Sequence, residues 1–400
     1  MKKRLITLAV ILAAAGLWAG HYYWQKFRHS LPGYLGPPAD IVQLLNKASD
    51  DTPLKLPPGF AINIFARKVP GARVLARDPA GNLLLSLTRQ GRVVALPDKN
   101  QDGVADKVVT VLSGLDNPHG LAFGLEKPPQ LYVAETDRVA SYAYDPEHFR
   151  ATHKKKIVNL PPGGRHFTRT LLFLPPPQEH RLLIAVGSDC NVCVEKDWRY
   201  AKILVTDIRH PDLRTYASGL RNAVFMTLHP ITKKVWATEM GRDYLGDNLP
   251  PDEIDILKPG ADYGWPWCYG NRVHDDQFDP SGSHREFCRK TIPAYIDIPA
   301  HSAPLGLAFF PKAWPQEFRY NLLVAYHGSW NRTVPTGYKV VRDKLDAAGN
   351  YLGVEDFISG WLTPQGALGR PVDILIQPDG VIYISDDKAG VVFRVVYKKG

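Results

Sequence analysis

His119-Gly-Leu-Ala-Phe123, followed by Leu131-Tyr-Val-Ala-Glu135, is the stretch whose reading decides the fold. It sets an apolar strand, a turn, and a second apolar strand that ends in polar residues. The same pattern returns as Pro304-Leu-Gly-Leu-Ala-Phe309 with Leu322-Leu-Val-Ala-Tyr326, and as Val372-Asp-Ile-Leu-Ile-Gln-Pro-Asp-Gly380 with Val381-Ile-Tyr-Ile-Ser385. Six copies begin near Arg73, His119, Thr168, Ala223, Pro304 and Pro371. A unit recurring every ~45 to 80 residues cannot bury its own faces and must stack on its neighbours. Short apolar strands punctuated by 33 Gly and 34 Pro predict an all-β, six-bladed β-propeller over residues 56–400. In that architecture, residues just before each innermost strand and just after each second strand emerge on one rim around the central axis.

The rest of the chain is consistent with one exported domain. Hydrophobic residues make up 44% of the 400 and charged residues 22%, which is ordinary globular usage and excludes extensive disorder. Met1-Lys-Lys-Arg4 followed by the apolar run Leu5 to Gly20 reads as a signal peptide or uncleaved signal-anchor helix over residues 1–24, with a basic end that stays in the cytoplasm. Residues 25–55, with Pro32 and Pro37-Pro38, read as a tether. The expected location is the periplasm, anchored to the inner membrane if residues 5–24 are retained. The net charge of +9 comes without a basic run interleaved with aromatics, so nucleic acid is excluded as a partner. An anionic small ligand suits the surplus better.

Four cysteines fall as Cys190-Asn-Val-Cys193 and Cys268…Cys288. The second pair is too widely spaced for a zinc site. In an oxidising compartment two local disulfides are expected, one a tight ring and one closing a longer loop.

On the predicted rim, Asn117-Pro-His119, Gly163 to Arg169, Gly219 to Asn222, His301 to Pro304 and Gly369-Arg370-Pro371 precede innermost strands. Glu135-Thr-Asp137, Gly187-Ser-Asp189, Glu239 to Asp243, His327 to Arg332 and Ser385-Asp-Asp387 follow second strands. Convergence of His, Arg and Asp from several blades is what a binding or catalytic site needs. No Ser or Cys nucleophile stands beside an evident base, which disfavours covalent acyl chemistry. Arg221, Arg332, Lys339 and Arg370 suit a ligand with several carboxylates. His166, in a Gly-rich loop, suits a general base, with Asp189 or Asp137 to orient it. A long insertion expected to follow the fourth blade, Glu239 to Glu253 and then Gly260 to Gly270, is rich in carboxylates and Gly/Pro turns, and reads as a calcium-binding loop, a disulfide-stapled lid, or both. Asp98, Asn100, Asp102 and Asp106 match the first half of an EF-hand loop, with Gly103 at the sharp turn. They are a second calcium candidate, away from the rim.

These residues together resemble the quinoprotein sugar dehydrogenases of the soluble glucose dehydrogenase and sorbosone dehydrogenase type. The resemblance rests on Gly164-Arg-His-Phe-Thr-Arg-Thr170, Gly187-Ser-Asp-Cys-Asn-Val-Cys193, Gly219-Leu-Arg-Asn222, Gly241-Arg-Asp243, Asp262-Tyr-Gly-Trp-Pro266, His327 to Thr333 with Gly337-Tyr-Lys339, and Gly369-Arg-Pro-Val-Asp373. It covers residues 55–398. It implies a six-bladed propeller that binds pyrroloquinoline quinone (PQQ) with a calcium ion at the channel mouth, and oxidation of an aldose or aldehyde. On this resemblance His166 takes the proton from the sugar hydroxyl as hydride passes to the quinone. Arg221 and Asn222 contact the quinone oxygens, while Lys339, Arg370 and Arg332 hold the carboxylates. The carbonyls of Gly241 and Arg242 match the calcium-binding turn. His119 stands where the glucose enzyme has Gln, and the acid partner of the base aligns with Ser188 or Asp189. The N-terminal anchor sets the chain apart from freely soluble members and implies a cytochrome or quinone as electron acceptor. The readings that compete are a non-catalytic propeller binding a glycan or protein, and a metal-dependent lactonase, whose central carboxylates are replaced here by His and Arg.

Overall fold

The computed structural model describes residues 12–23, 53–312 and 314–398. Residues 12–23 are helical, and no helix among the described residues is long and apolar enough to cross a membrane. Most of the anchor and tether readings fall on residues 1–11 and 24–52, outside the described residues.

Six antiparallel sheets follow one another in the predicted order. Blade 1 runs through Ala72–Arg77, Leu83–Leu87, Arg92–Leu96 and Val109–Leu112. Blade 2 uses Leu121–Phe123, Gln130–Glu135, Arg138–Asp145 and Arg150–Asn159. Blade 3 uses Leu171–Phe173, Arg181–Val186, Lys202–Asp207 and Arg214–Ser218, with Ala261–Asp262 added in parallel at its edge. Blade 4 comprises Ala223–Leu228, Val235–Glu239, Asp252–Leu257 and Ile296–Ile298. Blade 5 comprises Pro304–Phe309, Leu322–Tyr326, Lys339–Leu345 and Tyr351–Ile358. Blade 6 takes Pro371–Ile376, Ile382–Asp386 and Val391–Tyr397 from the end of the chain, and its outer strand, Phe60–Ala66, from the beginning. Phe60–Ala66 pairs antiparallel with Val391–Tyr397, from Phe60↔Tyr397 to Ala66↔Val392, and so closes the ring.

The repeats form blades because the second strand of each is buried on both faces. Leu322–Tyr326 and Leu83–Leu87 are buried along their whole length. The buried apolar clusters lie between neighbouring blades, for instance Leu83, Leu85 and Val94 of blade 1 against Phe65 and Tyr383 of blade 6. Near the axis the innermost strands approach closely. A Cβ on Gly120 would sit 2.7 Å from the Arg169 carbonyl and 2.9 Å from the Leu171 nitrogen, which accounts for the Gly in His-Gly-Leu-Ala-Phe.

The long insertion lies inside blade 4 rather than after it. Its Asp252–Leu257 portion is a buried strand, and the excursion continues past Gly270 through the hairpin Cys268–Tyr269/Val273–His274 and the helix Arg285–Lys290 to the outer strand. Both expected disulfides are formed, Cys190–Cys193 and Cys268–Cys288.

Phe65, 2% exposed, stands on the closing strand with its ring 4.7 Å from that of Tyr383. Phe65→Ala is expected to lower unfolding free energy by about 3–5 kcal/mol, measured by urea denaturation. A loss under about 1 kcal/mol would contradict closure through this strand.

Candidate functional site

The rim opens on a cavity of about 1240 Å³ lined by blades 1, 3, 4, 5 and 6. Seven of the ten predicted rim segments contribute to it. The two segments of blade 2 and Gly187-Ser-Asp189 do not. The loop ahead of blade 3 is stitched to the blade 2 rim by Arg169, which is fully buried. Its Nε donates to Thr136 O (3.2 Å), Nη1 to His166 O (2.6 Å) and Thr168 O (3.0 Å), and Nη2 to Pro161 O (3.2 Å) and Gly163 O (3.3 Å). All five N–H groups therefore have acceptors. His119, expected at the cofactor, is a core residue instead. It is 0% exposed, with Nδ1 3.1 Å from Arg169 O and its ring 5.6 Å from that of Phe225.

His166 does face the cavity. Its Nδ1 lies 2.9 Å from Ser188 O and 3.0 Å from Ser188 Oγ. A carbonyl oxygen only accepts, so Nδ1 carries the proton and Nε2 keeps a bare lone pair. Burial, then the positive charge of Arg221, holds this imidazole well below the ordinary value of 6.5, so it is neutral near pH 7. The orienting role expected of Asp189 belongs to Ser188. Asp189 is exposed, at a bend beyond the strand Arg181–Val186. Asp137, the other candidate, pairs with Arg138 at 2.7 Å.

Arg221, 4% exposed, is likewise saturated by the protein. Nε donates to Asn191 O (2.9 Å), Nη1 to Met240 O (3.3 Å) and Gly241 O (2.9 Å), and Nη2 to Asn191 Oδ1 (3.0 Å) and Asp243 Oδ2 (3.2 Å). It fixes the 240–243 turn, with no N–H left over to reach a quinone oxygen. Asp243 also accepts from Arg165 (2.9 Å) and Asn331 (2.8 Å). Asn222 lines the cavity. Its N–H donates to the Glu239 carboxylate (3.0 and 3.1 Å), and its Oδ1 would be 2.5 Å from a Cβ on Gly187. That contact explains the glycine.

The opposite wall, from blades 5, 6 and 1, is cationic. His327 Nε2 donates to Asp387 (3.0 Å) and Arg73 pairs with the same carboxylate (2.9 Å). Burial, then Arg370, lowers His327 to about 4. Burial raises Asp387, but His327, Arg73 and Arg370 outweigh it and hold the carboxyl well below the usual range. Arg370 donates through Nε to His327 O (3.2 Å) and through Nη2 to Gly328 O (2.8 Å). Arg89, Arg370 and Lys388 line the cavity without an ion pair among the described residues. Burial, then Arg370, lowers Lys388, against the opposing pull of Asp386 and Asp387.

Two expected cations are elsewhere. Arg332 donates to Ala300 O (3.2 Å) and Asn248 Oδ1 (3.0 Å), and Lys339 pairs with Asp356 of the outer strand of blade 5. Neither lines the cavity. Their places are taken by Arg73, Arg89 and Lys388, which the sequence reading passed over. Thr88-Arg89-Gln90 follows the second strand of blade 1, so the same positional rule would have found it.

The calcium expectations fare unevenly. Gly241 lines the cavity, but its carbonyl accepts from Arg221, and the Arg242 side chain turns away to Asp275 (2.7 Å) and Gln277 (2.7 Å). In the second candidate loop, Asp98 accepts from Asp102 N and Gly103 N, Asp102 from Val104 N and Asn100 Nδ2, and Asp106 from Lys99 N. Those oxygens cap a turn and do not converge. Among the described residues the only convergent trio of His, Cys, Asp or Glu ligands is Cys190, Cys193 and Glu195, and its two sulfurs are bonded to each other.

The family model described as TrAA12-like matches residues 54–399. An uncharacterized protein of Borreliella burgdorferi is 30% identical over 365 residues, 86% of this chain and 91% of its own. A pyrroloquinoline quinone-dependent pyranose dehydrogenase of Coprinopsis cinerea is 26% identical over 391 residues, 82% of this chain and 52% of its own, so the chain spans about half that relative's length. The holo form of the pyranose dehydrogenase PQQ domain from Coprinopsis cinerea superposes with a TM-score of 0.73 at 23% identity, covering 86% of this chain and 96% of that one.

Asp243→Asn would leave Arg221 buried without its counter-charge. The variant is expected to lose about 3–5 kcal/mol of stability in urea unfolding. A change within about 0.5 kcal/mol would show that the carbonyl acceptors alone support the guanidinium.

Proposed function

The chain belongs to the TrAA12-like family, and we propose that it is a PQQ-dependent oxidoreductase that converts an aldose or simple aldehyde to the next oxidation level. One observation carries this reading. A neutral imidazole with a bare Nε2 shares its cavity with three cations that form no ion pair among the described residues. PQQ has three carboxylates, so its charge matches Arg89, Arg370 and Lys388, and these residues would hold it. When bound, PQQ supplies an ortho-quinone that accepts a hydride, two electrons with one proton, from the substrate carbon.

The chain's own residues do the rest. His166 Nε2 takes the hydroxyl proton of the substrate. Its low basicity keeps it unprotonated and ready at neutral pH. Arg221 places a fixed positive charge beside the imidazole, and through Ser188, whose N–H donates to Arg221 O (2.7 Å), it shares one framework with that ring. Asn222 contributes a side-chain amide to the cavity wall. The calcium donors fit less well. A divalent ion at Gly241 O would stand against the Arg221 guanidinium.

The basic-then-apolar start and two disulfides support an exported, periplasmic setting. There a cytochrome or membrane quinone would take the electrons.

The test titrates purified protein with PQQ and follows sugar-dependent bleaching of a dye acceptor. PQQ is expected to bind, and Arg89→Ala with Lys388→Ala to weaken binding by about tenfold or more. Absence of PQQ binding to the wild type would defeat the reading in favour of a non-catalytic propeller. His166→Gln should keep PQQ affinity and lose about 100-fold in kcat; near-normal turnover would remove His166 as the base. For the wild type, the acid limb of kcat/KM should lie below pH 6.5, because Nε2 must be unprotonated and its pKa is depressed. An acid limb above 6.5 would contradict the neutral base.

A further inference from the structure

The four-residue ring closed by Cys190–Cys193 does not line the cavity, yet it touches both halves of the site. Asn191 lies inside this ring. Its Oδ1 accepts from Arg221 Nη2 (3.0 Å) and from Asp243 N (2.8 Å), its carbonyl accepts from Arg221 Nε (2.9 Å), and its Nδ2 donates to Asp243 O (3.1 Å). Four hydrogen bonds thus run from the ring to two residues of blade 4. At the other end, Ser188 Oγ donates to Cys190 O at 2.6 Å. That bond commits the hydroxyl proton, so Oγ can offer only lone pairs to His166 Nδ1. The Ser188 carbonyl and hydroxyl therefore demand the same tautomer, with the proton on Nδ1 and Nε2 bare.

We infer that the Cys190–Cys193 ring is the positioning device of the site, selecting the His166 tautomer through the Cys190 carbonyl and fixing Arg221 and Asp243 through Asn191. An open Cys-Asn-Val-Cys segment would sample several backbone conformers; the cross-link removes most of them. Only with its backbone fixed can one short segment present a carbonyl toward Ser188 and a side-chain amide toward Asp243. Asp189 N donates to Glu195 Oε1 (2.8 Å), which braces the residues on either side of the ring. A disulfide that served only as a staple would need none of these contacts with the site. The kinetic part of this inference rests on the proposed role of His166; the tautomer part does not.

The experiment uses the full chain labelled with ¹⁵N-histidine, with His166→Gln to assign the resonance. Wild type is expected to show a single Nδ1–H tautomer at His166 in the absence of any ligand. Cys190→Ser with Cys193→Ser should show a mixture with the Nε2–H form, and should lose about tenfold to a hundredfold in kcat with PQQ affinity retained. Asn191→Ala, which leaves the ring closed, is the second variant. It should keep the Nδ1–H tautomer but lower kcat, separating the two arms of the device. Cys268→Ser with Cys288→Ser controls for loss of a cross-link and should leave the His166 resonance as in wild type. If both ring variants fold, keep a pure Nδ1–H signature and match wild-type kcat and pH profile, the ring is only a staple and the inference fails. If the wild type shows no PQQ-dependent turnover, the functional reading fails, and the nitrogen spectrum alone decides on the ring.

Discussion

A guanidinium taken out of water must find acceptors for five N–H groups, and this propeller meets that demand twice at its channel mouth. Arg169 and Arg221 are both nearly or fully buried, and each gathers backbone carbonyls from loops that would otherwise be independent. Arg169 binds the blade 2 rim and the loop that carries His166. Arg221 binds the disulfide ring and the turn of blade 4. Loops on a propeller rim have no ladder of their own, so their shape is set by whatever satisfies these donors. The position of the imidazole follows from that constraint.

Charge is divided across the cavity in a way that suits its chemistry. On the side of blades 3 and 4, Arg165 and Arg221 share Asp243, so both guanidiniums on that wall are tied to a carboxylate. On the side of blades 5, 6 and 1, one half-buried carboxylate, Asp387, pairs with Arg73 and His327, while Arg89, Arg370 and Lys388 form no ion pair among the described residues. Burial drives His166 and His327 toward the neutral form for the same reason, but His166 leaves its Nε2 bare while His327 commits its Nε2–H to Asp387 and acts as part of the wall.

Much of the fold was legible in the sequence. Leu322–Tyr326 and its relatives can only be doubly buried strands, and the starts of the six copies agree with the observed innermost strands to about three residues. The closing strand Phe60–Ala66 carries no copy of the repeat and finds its partner some 330 residues away, a pairing that local periodicity does not encode. The rim was legible as positions rather than as side chains. Arg332 and Lys339 are long enough to turn toward Asn248 and Asp356, and nothing in their neighbours' identity announces it. Ser188 and Asp189 are adjacent, yet the bend at Asp189 buries the first and exposes the second. His119 was drawn to the site by its type, whereas burial against Phe225 decides its place.

The central claim is that two saturated arginines hold a neutral imidazole opposite a wall of unpaired cations, and that this pairing receives a carboxylated quinone. A crystal structure of the protein grown with PQQ tests it most directly. The account predicts carboxylates against Arg89, Arg370 and Lys388, with Arg221 still bonded to Asn191 and the ring of His166 still held by Ser188. Density for the quinone outside this cavity, or an Arg221 swung away from its carbonyl acceptors, would contradict it.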